Sequence, residues 1–220
     1  MTRIIFIGAT GTDIGKTYVT CMLLRQLQQQ GHKVRAIKPV MSGFDPQAIE
    51  QSDSGQLLLA MNQPTTLDNV RKISPWRFKD PLPPHLAAAQ AGKPLKLDEI
   101  ISFCQNQLED DLDFLLIEGA GGIMTPLNEQ QTLLDLMIAL DGSCLLVTAS
   151  SLGTLSHTLT ALACIKQTAL KVDGLIISES IESYTDFDGV MTDFANIFPA
   201  VALKFIRRDQ TSEEFFSLVL

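Results

Sequence analysis

The residues best suited to chemistry in this chain form a phosphate-binding set that starts at residue 8. Residues 8–17 read Gly-Ala-Thr-Gly-Thr-Asp-Ile-Gly-Lys-Thr, and the final Gly-Lys-Thr is typical of loops that bind nucleotide phosphates. Backbone N–H groups in such a turn point at an anion, and the dipole of the helix that follows favours negative charge. Lys16 is then expected to reach the terminal phosphates, and the Thr17 hydroxyl to bind Mg²⁺.

The spacing of this run departs from the usual G-x-x-x-x-G-K-[ST], because Thr10 stands where the first glycine is expected. A bare Gly-Lys-Thr also fits a solvated loop lysine. Here an uninterrupted apolar strand at 4–7 precedes the run, and apolar residues at helical spacing follow it at 18–27. We therefore interpret residues 8–17 as a phosphate loop, and we expect the Lys16 side chain to face solvent when no nucleotide is bound.

Two more charged residues stand where predicted strands end. Lys38 lies at the end of the predicted second strand, 33–40, which Pro39 stops, and Glu118 ends the buried strand that begins at residue 114. Ligands bind at the carboxyl ends of strands in parallel sheets, so both side chains are expected to face the phosphate loop. Glu118 is followed by Gly119, Ala120 and Gly121, whose small size lets the backbone approach phosphates. We predict that Glu118 supplies a carboxylate for the metal.

Some candidates keep two interpretations. Ser52 or Asp53 begins a helix and is interpreted first as its N-cap, although a carboxylate at Asp53 also suits a metal. Ser42 either contacts a polar group of a substrate or shapes the turn after the second strand. Backbone N–H groups near Gly153 and Thr154 offer a second anion site. His85 is interpreted as structural rather than catalytic.

The elements that must position these residues alternate between strand and helix along the whole chain. The pattern predicts one domain over residues 1–220, of the α/β class, with a P-loop NTPase-like, mostly parallel, doubly wound sheet of six or seven strands and helices on both faces. Residues 64–85 are rich in proline and are expected to be irregular. Strands are expected at 4–7, 33–40, 114–117, 143–149, 172–178 and 200–205.

Composition excludes several classes of protein. The net charge of −8 and the absence of a Lys/Arg run argue against a nucleic-acid surface. No apolar stretch approaches 18 residues, and residues 4–7 are too short for the core of a signal peptide, so we expect a cytoplasmic protein without a membrane segment. Four cysteines stand without a C-x-x-C pair, which favours buried reduced thiols over zinc binding or disulfides.

These residues together make the chain resemble the dethiobiotin synthetases. The matching motifs run in order from residue 4 to about residue 160, and their combination is much more specific than any one of them. They are residues 12–17, Lys38-Pro39-Val40 with Ser42-Gly43, Ser52-Asp53, Pro84-His85, residues 118–122 with Thr125-Pro126-Leu127, and residues 152–157.

The resemblance implies a ligase that makes dethiobiotin from 7,8-diaminopelargonic acid, CO₂ or bicarbonate and a nucleoside triphosphate, with ATP as cosubstrate and Mg²⁺ as cofactor. It implies a homodimer in which Gly153 and Thr154 receive the far carboxylate of the substrate bound by the neighbouring subunit. The implied catalytic residues are Lys16 and Lys38, and the implied metal ligands are Thr17, Asp53 and Glu118. The implied nucleotide-binding residues are Asp13, Ile14, Gly15, Lys16, Thr17, Tyr18, Asp53, Glu118, Gly119, Ala120 and Gly121. The implied substrate-binding residues are Thr12, Ser42, Gly153 and Thr154.

The chain departs from the family pattern where the nucleotide base is read. Ser178-Glu179 stands in place of the common Asn-Asp, and Ala202-Leu203-Lys204-Phe205 in place of a Gly-x-Ile-Pro turn. A serine hydroxyl makes fewer simultaneous hydrogen bonds than a side-chain amide, so weak selection among bases is expected.

Two alternatives to the synthetase remain. One is a nucleotide switch of the partition or chaperone type, whose loops resemble Lys-Gly-Gly-x-Gly-Lys-Thr. Gly11 occupies the place of the first lysine in that loop, which disfavours a switch. The other is an inactive homologue, because Ala9 and Ser178 replace family residues.

Overall fold

The computed structural model describes residues 2–208 and 214–220. Its centre is a six-stranded parallel sheet in the order β2-β5-β1-β6-β7-β8, with a separate parallel pair β3-β4. The strands are β1 (Arg3–Ala9), β2 (Val34–Ile37), β3 (Val40–Met41), β4 (Trp76–Arg77), β5 (Phe114–Glu118), β6 (Ser143–Ala149), β7 (Lys171–Ser178) and β8 (Leu203–Ile206).

The chain starts in the middle of this sheet. Strand β1 pairs on one side with β5, where Ile5 lies opposite Leu116, and on the other side with β6. From β1 the chain runs out to β2 at one edge, returns to β5, and then crosses to β6, β7 and β8. Because parallel crossovers are right-handed, connections on the two sides of β1 lie on opposite faces of the sheet. The predicted α/β class with a mostly parallel sheet is confirmed.

Eight α-helices connect and cover the strands in the described residues. Their starts follow local chemistry: the Ser52 hydroxyl accepts from the N–H of Gly55 at 3.1 Å, and Thr132 forms a capping box with Asp135. The helices are α1 (Lys16–Gln29), α2 (Asp53–Ala60), α3 (Leu67–Ile73), α4 (Pro84–Gln90), α5 (Leu97–Gln105), α6 (Leu133–Ala139), α7 (Thr154–Lys166) and α8 (Phe187–Ile197).

The expectation that residues 64–85 are irregular is wrong. Helix α3 and strand β4 lie within this segment, because Thr66 caps α3 and the side chains of Val70 and Ile73 are buried in the core. Helix α8 was not predicted at all. The six predicted strands are present as β1, β2, β5, β6, β7 and β8, with bounds shifted by a few residues.

All four cysteines are free, as expected, and three of them are buried. Burial raises the pKa of Cys21, Cys104 and Cys144 to about 12 in each case, so these thiols stay protonated. Within the described ranges, no helix is long and apolar enough to cross a membrane.

Candidate active site

The carboxyl ends of β1, β2 and β5 meet at one edge of the sheet, beside a cavity of about 730 Å³. Ligands of open parallel sheets bind at this kind of edge. Every residue that the sequence analysis assigned to the site lines this cavity except Gly119, Gly153 and Thr154.

The turn of the phosphate loop, residues 10–15 between β1 and α1, is held at both ends. At its start, the N–H of Thr10 donates to the carbonyl of Val147 at 3.0 Å. At its end, Gly15 caps α1 with a left-handed φ of 96°. A Cβ atom on Gly15 would lie 2.9 Å from the Ser178 hydroxyl, so both the backbone angle and the available space require glycine here. The loop therefore joins β1 to α1 in a conformation that other residues would strain.

Lys16 is buried, and the prediction that it faces solvent is wrong. It is only 6% exposed, and its Nζ donates to the carbonyl of Gly11 at 3.0 Å within its own loop. Burial, together with the charge of nearby Lys38, lowers the pKa of Lys16 to about 8. The side chain is thus folded against its own loop, with the Gly11 carbonyl as its acceptor.

Lys38, just after β2, is fixed through both its backbone and its side chain. Its N–H donates to the carbonyl of Ile73 at 3.0 Å, and its carbonyl accepts from the Ser74 hydroxyl at 2.6 Å. Its Nζ donates to Glu118 Oε1 at 2.7 Å and also to Asp53. Burial lowers the pKa of Lys38, but the two carboxylates outweigh it, so the net shift is upward. Lys38 is therefore a charged, buried ammonium in the cavity wall.

Asp53 is the first residue of α2, and its carboxylate is turned to the cavity. Of the two residues predicted as the N-cap of this helix, Ser52 is confirmed, and Asp53 is not the cap. Asp53 instead bonds to Lys38 and to the Thr17 hydroxyl, at 2.9 Å for the latter. Although burial raises the pKa of Asp53, the charge of Lys38 outweighs it, and the net shift is downward. Because Ser52 already satisfies the helix start, Asp53 is available to the site.

Three oxygens from three elements meet in the cavity. The Thr17 hydroxyl lies 2.7 Å from Glu118 Oε1 and 2.9 Å from Asp53 Oδ1. A hydroxyl has one proton, so it donates to one of these carboxylates at a time and faces the other with lone pairs. Glu118 is 1% exposed, and its Oε2 atom has no hydrogen-bond partner among residues 2–208 and 214–220. This arrangement is electron-rich and suits a cation.

The donor set fits Mg²⁺. This ion is commonly held by one or two carboxylates, and water and substrate phosphates complete its shell. Asp53, Glu118 and the Thr17 hydroxyl supply such a partial set, next to the phosphate loop. The described part of the chain contains no cluster of three or more His, Cys, Asp or Glu side chains that could hold a metal ion.

Three predicted residues lie outside the cavity. A Cβ atom on Gly119 would lie 2.4 Å from Leu133 Cδ2, so this glycine allows α6 to pack closely against the end of β5. Gly153 and Thr154 lie at the start of α7, where Gly153 has a left-handed φ of 92°. The Thr154 hydroxyl is buried and donates to the carbonyl of Ala149 at 2.7 Å. In its own chain, the start of α7 therefore contributes nothing to the wall of this cavity.

Sequence reasoning missed some residues of the site. Met41, Thr125 and Pro126 line the cavity but were not assigned to it. Thr125 and Pro126 belong to the motif at 125–127 that carries part of the family resemblance, so the sequence did contain a signal for their place at the site. Ser74, which holds the Lys38 carbonyl, gave no signal, because its contact depends on how α3 packs beside β2.

Known proteins resemble this chain along most of its length. A family model described as "AAA domain" matches residues 3–203. An ATP-dependent dethiobiotin synthetase of a Caulobacter species is 44% identical over 182 residues, which covers 81% of this chain and 77% of the relative. The enzyme of the same name from Phenylobacterium zucineum is 43% identical over 178 residues, covering 80% and 76%. That from Legionella pneumophila is 35% identical over 188 residues, covering 86% and 83%.

Solved structures share the fold at lower identity. The septum site-determining protein MinD of Pyrococcus horikoshii, solved with Mg-ADP, has a TM-score of 0.54 and 21% identity, and the match covers 95% of this chain and 82% of MinD. A ParA family ATPase from Chlorobium tepidum has a TM-score of 0.53 and 15% identity, covering 94% and 84%. At these identities the likeness concerns the fold alone, and it confirms the P-loop NTPase-like prediction.

Proposed function

The chain belongs to the dethiobiotin synthetase family, and we propose that the cavity at the ends of β1, β2 and β5 is its active site. The enzymes of this family that it matches are ATP-dependent. One observation carries the assignment of the site. A single cavity beside the phosphate loop collects two buried lysines, two carboxylates and a threonine hydroxyl. The two lysines would complement the negative charge that the synthetase reaction generates, and the carboxylates and the hydroxyl would hold a cation that does the same.

The reaction closes a ureido ring in three steps. One amine of 7,8-diaminopelargonic acid takes up CO₂ and becomes a carbamate. The γ-phosphoryl group of ATP is transferred to a carbamate oxygen, which gives a carbamic-phosphoric anhydride and ADP. The second amine then attacks the carbonyl carbon, and phosphate leaves. Each step gathers negative charge on carbamate or phosphate oxygens, so fixed cations in a dry site stabilise it.

Lys16 is proposed to act on the phosphoryl group. Its Nζ lies 3.0 Å from the Gly11 carbonyl of the loop, and it would exchange this acceptor for a phosphate oxygen. Loop N–H groups from residues 13–18 would bind the remaining phosphate oxygens. The positive φ of Asp13, at 56°, helps to turn this stretch around an anion.

Lys38 is proposed to act on the carbamate. It lines the same cavity, where its Nζ forms ion pairs with Asp53 and Glu118. Thr12 and Ser42 line the cavity with hydroxyls that can orient the two amines. Lys38 is then placed to hold the carbamate and the anhydride that forms from it.

Mg²⁺ is proposed to be held by Thr17, Asp53 and Glu118, where it would neutralise charge on the phosphate oxygens. The Glu118 Oε2 atom, which has no hydrogen-bond partner among the described residues, supports this assignment. In the described structure the Lys38 Nζ atom donates to the carboxylates of Asp53 and Glu118, which are two of the proposed metal ligands. A metal held by these residues would therefore bind the same two carboxylates as Lys38.

Replacing Glu118 with glutamine is expected to raise the Mg²⁺ concentration needed for half-maximal activity by about 10–100-fold, as for other perturbed metal sites. Excess Mg²⁺ should partly restore the rate. Asp53→Asn should behave in the same way. Asp111→Asn, at an exposed residue that precedes β5 and does not line the cavity, should leave the Mg²⁺ titration unchanged. An Asp53→Asn variant that lowers only the melting temperature would remove Asp53 from the metal site.

A homodimer is also proposed, in which the start of α7 serves the neighbouring subunit. Gly153 and Thr154 do not line the cavity of their own chain. Leu152, just before them, is 88% exposed, and the nearby loop residue Ile181 is also exposed. The loops that carry these two apolar side chains are joined through the Ser150 and Ser183 hydroxyls, 2.6 Å apart. Such an ordered apolar edge suits a subunit contact beside a substrate carboxylate.

Base selectivity is expected to be weak. Ser178 ends β7 and its hydroxyl lies against Gly15 of the phosphate loop, so it is placed near a bound nucleotide. ATP should support turnover, and CTP or GTP should give kcat/KM within about tenfold of it, a gap of about 1.4 kcal/mol. Ser178→Asn should increase the preference for ATP. A wild-type preference for ATP beyond about a hundredfold would instead assign base reading to the backbone near residues 204–206.

Phosphate release measured with and without 7,8-diaminopelargonic acid tests the function. A synthetase needs the diamine and CO₂ to release phosphate, and dethiobiotin should form in equal amount. A nucleotide switch would hydrolyse ATP without the diamine, and an inactive homologue would do neither. The fold shared with the ParA family ATPase does not distinguish these outcomes, because fold alone does not fix function.

A further inference from the structure

Four threonine hydroxyls form a hydrogen-bonded cluster between the phosphate loop and α7, and three of them are buried. Thr148, the penultimate residue of β6, lies at its centre and is fully buried. Its Oγ1 atom is 2.9 Å from that of Thr10 in the phosphate loop, and 2.8 Å from those of both Thr154 and Thr158 in α7. None of these four side chains lines the cavity. These hydroxyl contacts therefore link the phosphate loop to the first turn of α7 outside the cavity.

The direction of these hydrogen bonds follows from counting protons. Thr154 donates its proton to the Ala149 carbonyl, and Thr158 donates its proton to the Thr154 carbonyl. Neither hydroxyl then has a proton left for Thr148, and Thr148 has one proton, which it gives to Thr154 or to Thr158 at any one time. When Thr148 donates to either of them, the proton in the Thr10–Thr148 contact comes from Thr10. In that arrangement the Thr10 hydroxyl anchors the loop to β6.

We propose that Thr148 is a positioning residue of the synthetase, which sets the start of the phosphate loop through Thr10 and the start of α7 through Thr154. The Thr10 backbone is bound to the same strand, by its N–H to the Val147 carbonyl at 3.0 Å. The α7 end of the inference rests on the proposed function, because it needs Gly153 and Thr154 to receive the substrate carboxylate. One residue then holds both the nucleotide loop and the segment that serves the neighbouring diamine site.

Removing the Thr148 hydroxyl should affect the loop more than the fold. In Thr148→Val, Thr154 and Thr158 keep their carbonyl acceptors, and the half-buried Thr10 hydroxyl can reach water. The variant keeps the shape of threonine, so the core stays filled. The loop, however, loses one of its two ties to β6.

The test is the affinity for a non-hydrolysable ATP analogue with Mg²⁺, measured by calorimetry, together with KM for ATP and for the diamine. Thr148→Val should weaken analogue binding and raise KM for ATP by about fivefold, the worth of one such hydrogen bond. KM for the diamine should rise as well. Thr148→Ser, which keeps the hydroxyl, should stay within about twofold, and so should Thr158→Val, whose hydroxyl is not on the path from the loop to Thr154.

A double-mutant cycle separates this role from general packing. If Thr10 acts through Thr148, Thr10→Val with Thr148→Val should bind the analogue no more weakly than either single variant. Additive losses would overturn the proposal, as would equal losses in Thr148→Ser and Thr148→Val. A rise in KM for ATP without any rise for the diamine would overturn the α7 half. Analogue binding does not depend on turnover, so the loop half can be judged even if the wild type releases no phosphate with the diamine.

Discussion

Replacing Lys16 with methionine is expected to lower kcat by about 10²–10³-fold, because one preorganised cation next to the transferring phosphoryl group is worth that much. Methionine keeps most of the buried alkyl chain of a residue that is 6% exposed, so the fold should survive. The variant loses the hydrogen bond to the Gly11 carbonyl, worth about 1 kcal/mol of stability. Steady-state kinetics and thermal unfolding measured on the same preparation check both statements.

The matched control is Lys93→Met, at an exposed lysine away from the cavity, which should leave kcat unchanged. A Lys16→Met variant with near-normal kcat would contradict the assignment of the phosphate loop. A variant that is inactive because it is unfolded would show a lowered melting temperature, and then Lys16→Gln, which can still donate to Gly11, should fold and remain slow.

The sheet was predictable because buried parallel strands are continuous apolar runs. Residues 114–117 and 144–147 contain no charged or strongly polar side chain, and the structure buries all of them. Helix α3 was not predictable from the same signals. It has seven residues between Pro64 and Pro75, and it is stabilised mainly by burying Val70 and Ile73 rather than by its own length.

Most of the residues that line the cavity were predictable, but the direction of their side chains was not. Chain order places Lys38 and Glu118 at neighbouring strand ends, and that much follows from a parallel sheet. Whether Ser52 or Asp53 caps α2 depends on backbone angles and on the charge of Lys38, which comes from another strand. The burial of Lys16 likewise depends on the carbonyl of Gly11 turning inward. Short-range patterns contain neither fact.

Replacing Lys38 with methionine is expected to lower kcat by about 10²–10³-fold and to strengthen Mg²⁺ binding. The loss of rate follows from removing the cation proposed to hold the carbamate. The gain in metal affinity follows because Lys38 occupies the same carboxylates, Asp53 and Glu118, that are proposed to bind Mg²⁺. Without metal, the variant leaves the buried Glu118 charge unpaired and should unfold at a lower temperature than the wild type.

Added Mg²⁺ should recover most of that lost thermal stability in Lys38→Met, and much less in a Lys38→Met/Glu118→Gln double variant. Thermal unfolding with and without Mg²⁺ therefore reports on the shared carboxylates independently of turnover. The opposite signs expected for metal affinity, weaker in Glu118→Gln and stronger in Lys38→Met, separate a metal ligand from a catalytic cation. If Lys38→Met instead binds Mg²⁺ more weakly than the wild type, Lys38 supports the metal site, and its assignment to the carbamate is wrong.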